Sequence, residues 1–173
     1  IETKVATQVA KEPVAQLPLL PENLDVIKKA LIGVNIEGTS ASSFVGAPYV
    51  SAGKTGTAQV FTVKQNEKYN ASQIDERMRD HALYTAFAPA DDPKVALAMV
   101  VENAGFGAQN AAPIARRVFD FVILGQYPAQ EDIDAVQKGQ ATRPIGKPRL
   151  VANVAWPPKS SENSAQEAEA RAD

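Results

Sequence analysis

Two apolar runs, HALYTAFA at 81–88 and KVALAMVV at 94–101, are joined by only five residues, PADDP. That join constrains the fold more than any other feature of the chain. Both runs are rich in residues that suit strands, and so short a link admits only antiparallel pairing, because a parallel return needs a dozen residues or more. Pro93 lacks the N–H that would continue a ladder, and Asp91-Asp92 supply turn chemistry. The second run is apolar throughout, which predicts a strand in the middle of a sheet with both faces covered.

The rest of the chain supplies partners for this hairpin. Residues 1–20 are extended in character and end in LPLLP. A helix is predicted from Pro21, where proline suits the first turn and Glu22 and Asp25 favour the N-terminus. Leu24, Ile27, Leu31 and Val34 fall on one face of it. EGTSASSF (37–44) reads as a loop or a short helix, and residues 50–62 as a strand with Val60, Phe61 and Val63 at its far end. The charged stretch 64–80 is either a solvated loop or a flap beside a site. ENAGFGAQN (102–110) is a Gly-rich loop. AAPIARRVFDFVILG (111–125) reads as a helix with Ile114, Val118, Phe121 and Val122 on one stripe and Gly125 as its stop. Three strands followed by a helix give an antiparallel sheet covered by helices, an α+β arrangement.

Past residue 125 the pattern stops. Residues 126–158 hold five prolines and little periodicity, and KSSENSAQEAEARAD is hydrophilic and of low complexity. Residues 1–125 are therefore expected to be the folded part, and 126–173 a disordered, dispensable tail. The chain has no cysteine, so it forms no disulfide and no Cys-ligated metal site. A net charge of −2 argues against a nucleic-acid partner. No apolar run of about 18 residues is present to span a membrane. The chain opens IETKVATQV, with neither Met nor a signal segment, and it reads as part of a longer protein.

One lysine stands among small and hydroxylated residues in SAGKTGTAQV, residues 51–60. A phosphate-binding P-loop would need Gly at position 48, which is Pro48, and a helix after Lys54, where TGTAQVFTV is rich in β-formers. The other reading is Lys-Thr-Gly followed by Thr on a strand, the third motif of penicillin-recognising serine acyltransferases. An edge strand can take an extended peptide as an added strand. Gly56 would let that peptide's backbone come close. Thr57 offers a hydroxyl to a carboxylate and an N–H to a developing oxyanion, and Lys54 a positive charge beside the nucleophile.

The surrounding sequence narrows this further. AGKTGTAQV, a charged excursion, RDHALYTAFAPADDPKVALAMVVENAGFG and then AAPIARRVFDFVI resemble the end of the class B penicillin-binding proteins, most of all the elongation-type subfamily of penicillin-binding protein 2. LPLLPENLDVIKKALIGVN…GTS is similar to the helical stretch before the motif strand in that family. The resemblance covers about residues 15–125. It implies a serine D,D-transpeptidase, without a cofactor, that is acylated by a peptidoglycan stem peptide and passes the acyl group to another peptide's amine. β-Lactams imitate the D-Ala-D-Ala end. It further implies Lys54 in the proton network, Thr55, Gly56 and Thr57 in substrate binding, and Thr57 N–H as half of an oxyanion hole. The implied setting is the periplasmic face of a bacterial inner membrane, with the anchor outside this chain and elongation-complex proteins as partners. A septal transpeptidase, a D,D-carboxypeptidase or a non-catalytic piece completing a scaffold are the alternatives.

The chain departs from the family pattern in one respect. The family's nucleophile lies in S-x-x-K, followed by S-x-N, well before K-T-G. Ser51-Ala52-Gly53-Lys54 fits the first only by overlapping K-T-G on a strand, whereas the nucleophile must open a helix with its lysine one turn away. Ser161-Glu162-Asn163 fits the second only in the hydrophilic tail. The serine is thus expected in an N-terminal part of the protein, which would also complete the sheet and cover the last helix. His81, the single histidine, reads as structural rather than as a general base. Asp91-Asp92 read as a solvated turn rather than metal ligands, and Tyr84 as core or as facing the motif strand. Trp156 reads as a locally docked residue or a partner contact.

Overall fold

Pro21 at the start of the helix and Glu22 in its first turn begin α1 (Pro21–Ile36), as the sequence predicts. The computed structural model of the chain describes residues 18–60, 70, 74–140 and 142–154. The readings of residues 1–17, of most of 64–80, of Phe61 and Val63, of Trp156, of Ser161-Glu162-Asn163 and of the hydrophilic tail lie outside the described residues. After α1 come a short helix α2 (Ala41–Phe44) and three strands, β1 (Ala52–Ala58), β2 (His81–Ala88) and β3 (Val95–Val101). A one-turn helix α3 (Gly107–Asn110) leads into α4 (Ala112–Leu124), which Gly125 stops in the left-handed region at φ 62°. β4 (Gln126–Tyr127), α5 (Gln130–Gln137) and β5 (Arg149–Leu150) follow.

The sheet runs β1-β2-β3, antiparallel throughout, with Lys54 opposite Thr85, Gly56 opposite Leu83 and Tyr84 opposite Met99. Period-2 alternation sends Ala82, Tyr84, Ala86 and Ala88 into the core. There Phe44 of α2 meets the rings of Tyr84 and Phe119, both at 6.3 Å between centroids, and Ala112 and Ala115 of α4 fill the spaces between. The architecture is the expected α+β one.

Several expectations are corrected. β2, not β3, is the central strand among the described residues, and β3 is an edge. Its run alternates in fact: Val95, Leu97, Met99 and Val101 face the core, while Ala96, Ala98 and Val100 are exposed. Small alanines on the open face hide a period of two inside an apolar run. The first strand is shorter than 50–62, ending at Ala58, so Val60 lies beyond it.

The stripe expected on α4 is also displaced. Val118 and Val122 are exposed, and the buried side carries Ala112, Ala115 and Phe119 together with Arg116, Arg117 and Asp120. These charges are tolerated inside because they are paired. Arg116 Nε lies 2.9 Å from both carboxylate oxygens of Asp120, and its Nη1 donates to the carbonyls of Ser43 and Val45. Tyr49 donates to Asp120 Oδ1 at 2.7 Å; burial, and then that carboxylate, push its phenol pKa up. On α1, Leu24 and Ile27 of the predicted face are each 52% exposed, and burial is confined to the C-terminal half, where Asn35 is buried and bonded to Ser51 just before β1.

The largest correction concerns the stretch past residue 125. Residues 126–140 and 142–154 are folded onto α4. Asp132 of α5 is fully buried and accepts from Arg117 Nη2 at 2.6 Å, from Arg117 Nε at 2.9 Å and from Ile145 N at 3.0 Å. Arg117 Nη1 reaches the carbonyls of Pro113 and Thr142. A satisfied ion pair rather than an apolar stripe anchors this segment, with the β4–β5 pairing and the bond from Val151 N to Gly125 O beside it.

Candidate active site

Lys54, Thr55, Gly56 and Thr57 all lie on β1, which pairs with β2 alone among the described residues and so leaves its other edge unpaired. Lys54 and Thr57 are exposed, Thr55 and Gly56 half-buried. They border an open groove of about 430 Å³ whose other wall is Phe106, Gly107, Ala108 and Gln109, with Thr39 at one end. The sequence readings bring the four strand residues together, and the structure keeps them together. Lys54 Nζ donates to Thr55 O at 2.6 Å, which lays the ammonium along its own strand. The hydroxyls of Thr55 and Thr39 are 3.0 Å apart.

Beneath the strand lies a buried polar network. Asn35 Nδ2 donates to Ser51 Oγ at 2.9 Å, and Asn35 Oδ1 accepts from Ser40 Oγ at 2.7 Å and from Tyr84 OH at 2.6 Å. Desolvation raises the Tyr84 pKa, with the bonds to Ser40 and Asn35 opposing it. Ser51, one residue before β1, is buried and engaged in this network, in keeping with a structural role. With Tyr84 in place, position 53 has no room for a side chain: a Cβ there would lie 2.3 Å from Tyr84 OH and 2.7 Å from its Cζ.

Gly107 seats the opposite wall against the strand. A Cβ at Gly107 would stand 2.2 Å from Leu83 O and 2.6 Å from Gly56 O, both backbone atoms that cannot rotate away. Gly107→Ala in the intact protein should therefore cost about 1–3 kcal/mol by overpacking and push the wall off the groove. A thermal melt unchanged from wild type would show that the wall can shift freely.

Sequence reasoning missed Asn35, Thr39, Ser40 and Gly107. A signal existed for two of them: Asn35 is a polar residue in the last turn of an apolar helix, and Gly107 follows Gly105 in the Gly-rich loop. His81 sits at the start of β2 with Nδ1 accepting from Asn103 N at 2.9 Å, a structural contact. Asp91 is exposed, and Asp92 pairs with Lys94 on the surface. Among the described residues no three histidines or acids gather to hold a metal ion. A larger hollow of about 700 Å³ lies at the other end of β1, lined by Lys28, Tyr49, Asp91, Asp92 and Lys94 among others. It holds none of the K-T-G residues, so size alone does not locate the site.

Residues 1–120 match the family of the penicillin binding protein transpeptidase domain. The chain belongs to that family. Among transpeptidase relatives, the peptidoglycan D,D-transpeptidase MrdA of Haemophilus influenzae is 48% identical over 94 residues, 54% of this chain and 14% of that protein. MrdA of Escherichia coli K12 is 47% identical over 103 residues, 58% of this chain and 16% of that protein. The crystal structure of Pseudomonas aeruginosa PBP2 in complex with WCK 5153 superposes with a TM-score of 0.54 at 34% identity, covering 67% of this chain and 23% of that one. The α+β arrangement is thus the transpeptidase fold, and the chain spans less than a quarter of each of these proteins.

Proposed function

We propose that this chain supplies the K-T-G wall of the acylation site in an elongation-type peptidoglycan D,D-transpeptidase. The observation that carries the reading is the open edge of β1, which presents Lys54-Thr55-Gly56-Thr57 to a groove. An extended stem peptide, or a β-lactam imitating it, adds along that edge. Gly56 keeps the edge bare for close approach, and the hydroxyls of Thr55 and Thr57 hold the carboxylate. Lys54 places its ammonium beside the nucleophile's proton, and Thr57 N–H contributes half of the oxyanion hole. The serine, its S-x-x-K helix and the S-x-N motif come from another part of the same protein, and that part also covers the open edge of β3. Identity of 47–48% with the MrdA proteins, over 54–58% of this chain, favours the elongation type over the septal type or a carboxypeptidase.

The setting that goes with this reading is the periplasmic face of a bacterial inner membrane, with stem peptides, β-lactams and elongation-complex proteins as partners. Among the described residues no helix is long and apolar enough to cross a membrane, so the proposed anchor lies elsewhere. Fluorescent penicillin incubated with the intact protein should leave one covalent adduct, on a serine outside these 173 residues. The 173-residue chain alone should take none. Mass spectrometry that finds the adduct on Ser51, or no adduct on the intact protein, overturns the proposal.

A further inference from the structure

The far wall of the groove is held from behind by the first residue of β2. The loop between β3 and α3 is pinned at three points: Asn103 N donates to His81 Nδ1 at 2.9 Å, Gly105 N to Asp80 O at 2.7 Å, and Asn110 Nδ2 to Ala104 O at 2.5 Å. Only the first of these uses a side chain from outside the loop and its helix. Asn103 is the one non-glycine residue among those described with positive φ, at 56°, and Gly105 follows at 78°. Glycine adopts this conformation freely and asparagine more readily than most side chains, so the sequence permits the turn and its contacts select it. The two reversals deliver Gly107 onto the backbone of Gly56 and Leu83.

We propose that His81 is a positioning residue for acylation. Its Nδ1 accepts the Asn103 N–H, which assigns the ring proton to Nε2. That bond holds Asn103 in its left-handed turn and, through it, sets Gly107 against Gly56 of the K-T-G strand. His81 touches no reacting atom; it fixes where the 106–109 wall sits on the strand along whose open edge the substrate lies. A displacement of about 1 Å at such a wall is enough to slow a reaction that depends on orientation. The inference deepens the proposed function and rests on the groove being the acylation site.

The test uses the intact protein and the second-order rate of acylation by a fluorescent penicillin. His81→Leu removes the acceptor and should slow acylation about tenfold, the effect of one lost hydrogen bond. His81→Asn puts a carbonyl oxygen where Nδ1 was and should restore the rate to within about twofold. His81→Gln puts its oxygen where Nε2 was and should not. A histidine that merely filled space would let Asn and Gln behave alike. Wild-type rates in His81→Leu, or Asn no faster than Gln, overturn the inference; should Leu fail to fold, the comparison of Asn with Gln decides alone. Lys54→Ala belongs in the same series. If Lys54→Ala acylates at the wild-type rate, the groove is not the site and both readings fall. If Lys54→Ala is slow while the His81 variants match wild type, only the role of His81 falls.

Discussion

Lys54→Ala in the intact protein should lower the rate of acylation by penicillin at least about a hundredfold, the usual effect of losing a positioned electrostatic or proton-transfer group. The ammonium rests on Thr55 O at the lip of the groove, within reach of a ligand laid along β1. Because Lys54 is exposed and, among the described residues, bonded only to its own strand, its removal should leave circular dichroism unchanged, so a fall in rate reports chemistry rather than folding. Lys54→Arg should not restore the rate fully, since a planar, always-charged guanidinium fits poorly where a compact ammonium sits. Thr57→Val keeps the backbone N–H and much of the shape; it should weaken acylation by carboxylate-bearing β-lactams with little change in stability. A phosphate-binding lysine would behave otherwise, its loss abolishing ATP binding and leaving penicillin labelling intact. Measuring both ligands on the same variants separates the two chemistries, and a wild-type acylation rate in Lys54→Ala would remove the role given to this residue.

Asp132→Ala should destabilise the intact protein by about 3–5 kcal/mol, because it strands the Arg117 guanidinium in a buried site without its counter-charge. Arg117 also keeps the carbonyls of Pro113 and Thr142 satisfied, so α4 and the segment around Pro144 and Ile145 should loosen together. Chemical denaturation measures this directly. Replacing both partners with apolar residues, Arg117→Met with Asp132→Leu, should recover only part of the loss: neither charge then remains buried, but Ile145 N and the carbonyls of Pro113 and Thr142 lose their partners. A loss under about 1 kcal/mol in Asp132→Ala would return residues 126–154 to the dispensable tail that their composition predicts.

That contrast marks what a sequence of this kind reveals. The β2–β3 hairpin and α1 were legible because local rules produce them: a tight link, a proline at the first helical turn, a left-handed glycine at a helix end. The docking of α5 was not, because periodicity detects apolar stripes and is blind to one arginine buried with one aspartate. The same blindness missed the second packed face of α4, which carries Arg116, Arg117 and Asp120. The period-2 alternation of β3 was hidden by Ala96 and Ala98, which count as apolar yet tolerate water. At the site, the K-T-G residues were legible as consecutive positions on one strand. The groove was only half legible, because Thr39 and Gly107 reach it from other elements; the Thr39–Thr55 bond alone joins residues 16 apart.

The contact between Gly53 and Tyr84 bears on how freely the motif strand can change over generations. Any side chain at 53 strikes the phenol, and shortening residue 84 alone opens a void under the strand and leaves Asn35 short of a donor. Each single step is costly, while the paired step, a small residue at 53 with a smaller one at 84, recovers packing. A lineage pressed to alter this strand, by a drug for instance, therefore faces a valley between two workable states. Variation should enter first through the opposite wall, where the exposed Phe106 meets no such obstacle.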